Sequence, residues 1–290
     1  MSAVAGVPVR LAPPSTAPAA RPAAPQGGGA AAGPVLRLEG ITMRIAGLTA
    51  IDDASFSVDA GQIVSLIGPN GAGKTTTFNV ISGYMRPTAG RVFLFGEDVT
   101  GIAPEQIARR GLVRSFQRTS VFAGCTVFDN LLTALHLRGH SRVWQVLART
   151  AGFRREERRL RDEAGEMLDF LGLRHRADDL ASNLSYGEQR LLGVGLALAA
   201  RPKMLLLDEP AAGLNPSETE AFKAMVRRIR DRGVTVLLVE HDMHMVMSIS
   251  DHIFVLNYGR RIADGTPGEI QRNPEVIKAY LGSGLKRAQG

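Results

Sequence analysis

Gln62-Ile63-Val64-Ser65-Leu66-Ile67-Gly68-Pro69-Asn70-Gly71-Ala72-Gly73-Lys74-Thr75 decides the fold. An apolar run of strand length, Gln62–Ile67, opens directly into a turn that fits the phosphate-loop pattern G-x-x-x-x-G-K-[ST], with a helical stretch expected after it. Glycines let the backbone turn tightly, so that successive N–H groups of Gly68, Pro69, Asn70, Gly71, Ala72 and Gly73 (the proline excepted) converge on phosphate oxygens. The new helix points its positive end at the same anion. Lys74 can then reach the β- and γ-phosphates of a nucleotide, the Thr75 hydroxyl can coordinate Mg²⁺, and Thr76 follows as a further contact. Only five lysines stand against thirty arginines, so a lysine at this position is informative.

Working outward, strand-like and helix-like stretches alternate. Val35–Leu38 alternates like a half-buried strand; Arg91–Phe95 is a short strand; Met204–Leu207, Val234–Val239 and Ile253–Leu256 are compact apolar runs suited to a parallel sheet covered on both faces. Residues 120–183 read as helical and arginine-rich, and helical patterns cover Leu191–Ala200, Glu218–Asp231 and Asn273–Leu281. This alternation predicts an α/β fold with the ligand at the carboxyl ends of the strands. Met204–Leu207 runs into Asp208-Glu209, which places Asp208 at a strand tip in the Mg²⁺ shell and Glu209 where it can orient and polarise an attacking water. No guanine-reading N-K-x-D motif is present.

Composition narrows the class. The 290 residues carry 35 Lys+Arg against 28 Asp+Glu, and a single cysteine, Cys125, excludes an intrachain disulfide. Residues 1–34 hold 11 Ala, 7 Pro and 5 Gly and no acid, the composition of a disordered leader without a secretory apolar core. The stretch 138–161 carries eight arginines against Glu156 and Glu157, a solvated helix face or a surface for phospholipid or RNA. The apolar run Leu191–Ala200 is about half of the ~20 residues a membrane span needs.

Leu184-Ser185-Tyr186-Gly187-Glu188-Gln189-Arg190 resembles the signature motif of ATP-binding cassette (ABC) proteins, a Ser and Gly turn that opens an apolar helix. The resemblance implies that Ser185, Gly187 and Glu188 face the γ-phosphate of ATP bound, with Mg²⁺, to an opposing cassette. Gln117 resembles the Q-loop glutamine that touches Mg²⁺ or the attacking water. Ala212–Asn215 occupies the D-loop, with Asn215 where many cassettes carry Asp, and His241 resembles the switch histidine at the γ-phosphate. The implied fold is an α/β P-loop NTPase of the ABC cassette type: a RecA-like parallel-sheet core, an antiparallel β-subdomain and a helical subdomain inserted at about 118–183. The cassette would span 35–265 after a leader at 1–34, with a helical extension over 266–290.

Tyr186, Ala211–Pro216, Glu240–Met243 and the run from Gly265-Thr266-Pro267 to Gly282 look like the larger ATPase subunit of branched-chain amino acid importers. That family implies a second ATPase subunit in a heterodimer, two integral membrane permeases and an extracytoplasmic substrate-binding protein. It also implies a peripheral position on the cytoplasmic face of the plasma membrane. Val121, Phe122 and Phe128 are candidates for the docking surface, with core packing as the alternative. One departure stands out: Ile45 replaces the family's aromatic residue that stacks on adenine. Related importers carry amides, urea or aromatic acids, and these stay open as cargo. A nucleic-acid-associated ABC ATPase, which the pI near 10.0 suggests, typically has tandem cassettes or a coiled-coil insertion; neither is found here, so no nucleic-acid partner is expected.

Overall fold

The computed structural model describes residues 33–115, 121–136 and 151–287. Most of the expected leader, Gln117 and much of the arginine-rich stretch from 138 lie outside the described residues. Four strands, β1 (Leu36–Ile45), β2 (Leu48–Val58), β4 (Ala89–Leu94) and β5 (Glu97–Asp98), form an antiparallel sheet in the order β2-β1-β4-β5. Ala46 and Gly47 join β1 to β2 with φ of 46° and 84°. Two successive positive φ values match the right-handed twist of a tight hairpin.

The second sheet contains β3 (Ile63–Ile67), β6 (Leu112–Ser115), β7 (Met204–Asp208), β8 (Thr235–Val239), β9 (His252–Asn257) and β10 (Arg260–Gly265), in the order β10-β9-β3-β8-β7-β6. Five of its strands run parallel and β10 closes one edge antiparallel to β9. Every residue of β3, β7 and β8 is buried, which is why these strands read as unbroken apolar runs. Their side chains alternate between two cores. Ile63, Ile67, Leu205, Leu207, Val236 and Leu238 face a helical layer, whereas Val64, Leu66, Met204, Leu206, Leu237 and Val239 face the antiparallel sheet.

Among the described residues the α-helices are α1 (Lys74–Ile81), α2 (Pro104–Arg109), α3 (Val127–His136), α4 (Ala151–Leu171), α5 (Tyr186–Ala199), α6 (Pro216–Asp231), α7 (Met243–Ile249), α8 (Pro267–Arg272) and α9 (Pro274–Arg287). Buried side chains of α3, α4 and α5, among them Leu131, Leu168 and Leu192, join the first core. Phe170 of α4 lies beneath two guanidinium groups, 4.4 Å from that of Arg228 in α6 and 3.8 Å from that of Arg232, the residue that follows this helix. Among the described residues no helix is long and apolar enough to cross a membrane.

Several boundaries differ from the sequence reading for local reasons. The strand expected at Arg91–Phe95 is Ala89–Leu94, because Phe95 adopts a left-handed φ of 50° in the turn to β5. The helix expected from Leu191 begins at Tyr186, and the one expected from Glu218 begins at Pro216. Both are started by caps. The Asn215 side chain accepts from the Glu218 N–H at 2.9 Å while the Glu218 carboxylate accepts from the Asn215 N–H at 3.0 Å. Asn215→Ala should therefore cost about 1 kcal/mol and lower Tm by about 2–4 °C, whereas Asn215→Asp, which keeps the acceptor, should leave it unchanged; thermal unfolding of the two variants checks this.

Candidate active site

The loop after β3 is held by close backbone packing. Gly68 has φ 154°, and a Cβ there would stand 2.1 Å from the Leu256 carbonyl oxygen of β9. Gly73 precedes α1 at φ 99°, where a Cβ would meet the Ala50 carbonyl of β2 at 2.5 Å. No side chain fits at either position, so the chain there can curl only as glycine. The Gly259 N–H donates to Ala72 O at 3.0 Å and the Asp52 N–H to Gly259 O at 2.9 Å, tying the loop to the β9–β10 turn and to β2. Asn70, Gly71 and Thr75 are exposed on the open side of the loop, and Pro69 and Thr76 are half-buried.

Lys74 is buried, and its Nζ donates to Gly68 O at 2.7 Å and Pro69 O at 3.1 Å. Burial pulls its pKa below the ordinary lysine range, while the charges of Glu209 and Asp208 push it back up. The phosphate-loop cation and both acids at the end of β7 thus share one electrostatic neighbourhood.

Asp208 is buried at the tip of β7. Its Oδ2 accepts from Arg114 of β6 at 2.6 Å, and Arg114 also donates to Asn79 Oδ1 at 2.8 Å and to Ser82 Oγ at 3.2 Å. The other carboxylate oxygen of Asp208, Oδ1, is buried without a hydrogen-bond partner among the described residues. Glu209 turns out of the strand with a left-handed φ of 46° and places its Oε1 2.5 Å from His241 Nε2. His241 follows β8, the strand between β3 and β7, so the three groups emerge at the carboxyl ends of adjacent strands.

Ser185, Gly187 and Glu188 form a separate group at the start of α5. The Glu188 N–H donates to Ser185 Oγ at 3.2 Å and the Ser185 N–H to Glu188 Oε2 at 2.8 Å. Glu188 also accepts from Arg176 at 3.2 Å, and a Cβ on Gly187 would lie 2.6 Å from Glu218. These contacts run to the helical layer and to α6 rather than to the loop of Gly68–Thr75. Ile45, at the end of β1, is 40 % exposed opposite the more exposed Leu48 of β2. Of the three docking candidates, Phe122 is exposed, whereas Val121 and Phe128 pack partly against the core.

Two site residues escaped the sequence reading. Arg114 was hidden because β6 is short and interrupted by charge. Glu240 stood inside a quoted stretch, but its carboxylate is buried against backbone N–H groups, a role that spacing does not signal.

Comparison with known proteins agrees with this architecture. The ABC transporter family matches residues 51–212, and the branched-chain amino acid ATP-binding cassette transporter family matches residues 260–286. The high-affinity branched-chain amino acid transport ATP-binding protein BraF of Pseudomonas aeruginosa is 48% identical over 250 residues, covering 86% of this chain and 98% of its own. Its counterpart LivG of Escherichia coli is 44% identical over the same share of both chains. The crystal structure of the ADP conformation of MJ1267, an ATP-binding cassette of an ABC transporter, superimposes with a TM-score of 0.75 at 33% identity, covering 86% of this chain and 99% of that one. With the phosphate loop, the acid-tipped strand and the capped signature helix on one such scaffold, this chain belongs to the ABC transporter family of ATP-binding proteins.

Proposed function

We propose that this cassette is the larger ATPase subunit of a branched-chain amino acid importer and that it hydrolyses ATP at the site formed by Lys74, Asp208, Glu209 and His241. The observation that carries the reading is the convergence of these four side chains at the carboxyl ends of β3, β7 and β8. Names of relatives over most of the chain support the cargo.

In this reading the N–H groups of Gly68–Thr75 and the start of α1 hold the phosphates. Lys74 carries its charge to the β- and γ-phosphates, and the apolar tip at Ile45 meets the adenine. Mg²⁺ fits the remaining donors. One carboxylate and one hydroxyl would share the ion with phosphate and water, the usual Mg²⁺ arrangement. Asp208 Oδ1, which has no hydrogen-bond partner among the described residues, and the hydroxyl of exposed Thr75 would be those donors, and Gln117, outside the described residues, would be the third contact. The bound ion would neutralise charge on the β- and γ-phosphates.

Glu209 then orients the attacking water and takes its proton, and His241 fixes the Glu209 carboxylate and contacts the γ-phosphate. Ser185, Gly187 and Glu188 serve the ATP of a second cassette, which makes a dimer of ATPase subunits the working unit. The cassette rests on the cytoplasmic face of the membrane against two permease subunits, which receive cargo from an extracytoplasmic binding protein. Helices α3 and α4 belong to the inserted subdomain at about 118–183 that meets the permease.

Glu209→Gln should retain ATP binding and lose turnover by about 100-fold or more, measured by calorimetry and phosphate release; parent-level release would remove Glu209 from its assigned role. Ile45→Tyr should tighten ATP binding by about two- to tenfold and widen the preference for ATP over GTP in calorimetric titrations. In source cells, Lys74→Ala should abolish uptake of labelled leucine that valine and isoleucine compete for. Unchanged leucine uptake would point the cargo assignment to another small solute.

A further inference from the structure

Glu209 occupies a backbone region, φ 46°, that a non-glycine residue keeps only when its surroundings impose it. Two bonds impose it here. The Glu209 N–H donates to Val239 O at 2.9 Å, and two residues later the Ala211 N–H donates to Glu240 Oε1 at 2.7 Å. The other oxygen of Glu240, Oε2, accepts from the His241 N–H at 3.0 Å, and the Asp242 backbone N–H also bonds this carboxylate. Glu240 is only 3% exposed. Burial raises its pKa, the backbone donors counter that, and the nearby charge of Glu209 adds to the rise.

A buried carboxylate held by backbone N–H groups alone has two acceptor oxygens, and here they serve two different loops. One loop leaves β7 and carries Glu209; the other leaves β8 and carries His241. The side chains of those two residues meet at 2.5 Å, a distance that survives only if both loops keep their register. We propose that Glu240 is a positioning residue for ATP hydrolysis, a brace whose carboxylate fixes the strained turn of Glu209 against the backbone of His241. The inference rests on the reading of Glu209 and His241 as the hydrolytic pair.

Two substitutions probe it in the full-length chain. Glu240→Gln keeps the shape but turns one acceptor into a donor that faces an N–H. Glu240→Asp keeps the charge and the near contacts with the His241 and Asp242 N–H groups, but it is one methylene too short to hold Ala211. Both should cut ATP turnover at least tenfold while the affinity for a fluorescent ATP analogue stays within twofold. In a Glu209→Gln background, Glu240→Asp should bring no further loss, because the brace acts through Glu209. Amide exchange tests the brace without any variant: the Ala211 N–H of the parent chain should exchange as slowly as β7, and at least tenfold faster in Glu240→Asp.

Turnover within twofold of the parent in both Glu240 variants, a joint fall of turnover and affinity, or rapid exchange at Ala211 in the parent would each overturn the proposal. Parent-level turnover in Glu209→Gln would instead remove the reading beneath it. Loss of turnover in Glu209→Gln with normal Glu240 variants would remove the brace alone.

Discussion

Two backbone contacts at the phosphate loop set the terms for the rest of the site. Gly68 presses against the Leu256 carbonyl of β9, and Gly73 against the Ala50 carbonyl of β2. The loop is therefore wedged between strands of two different sheets and cannot drift as an ordinary surface turn would. A single methyl group at either position would force one of those strands away. From this fixed loop α1 departs, and Lys74 is drawn inward far enough to feel both Asp208 and Glu209. The antiparallel sheet thus contributes more than a hairpin tip: it supplies one jaw of the clamp.

Charge burial is the second theme. Asp208 and Arg114 form a nearly buried pair, Lys74 is buried on carbonyl oxygens, and Glu240 is buried on N–H groups. Each charge is met by at least one hydrogen bond, which is the condition for keeping it away from water, and among the described residues Asp208 leaves one oxygen, Oδ1, without such a bond. Pairs of this kind add little net stability but penalise any rearrangement that separates the partners. The consequence is a site whose charged groups have few alternative positions.

Much of this was legible in the sequence, and the exceptions have physical causes. β3, β7 and β8 announced themselves because burial on both faces demands continuous apolar runs. The phosphate loop and the Ser and Gly turn at Ser185 were visible because each needs a particular residue type at a particular spacing, whereas Asn215 was read only as part of the D-loop and its cap on α6 was not. β2 was not visible: Asp52 and Asp53 interrupt its alternation, and Asp53 sits at a left-handed φ of 52°. β6 was missed because four residues with an arginine among them carry no periodic signal. The tertiary roles of Arg114 and Glu240 depend on which strands become neighbours, and local pattern does not encode that.

The capped start of α5 has a consequence for hydrogen-bond direction. Ser185 Oγ accepts from the Glu188 N–H, and Glu188 returns the bond to the Ser185 backbone while Arg176 occupies its other oxygen. The acid in the signature is thereby committed within its own chain. The serine hydroxyl in turn gives its hydrogen to the same Glu188 carboxylate, so both of its roles are taken up within the chain. The serine and the acid that open α5 are accordingly satisfied by each other and by Arg176, so this turn holds its shape before any other molecule arrives.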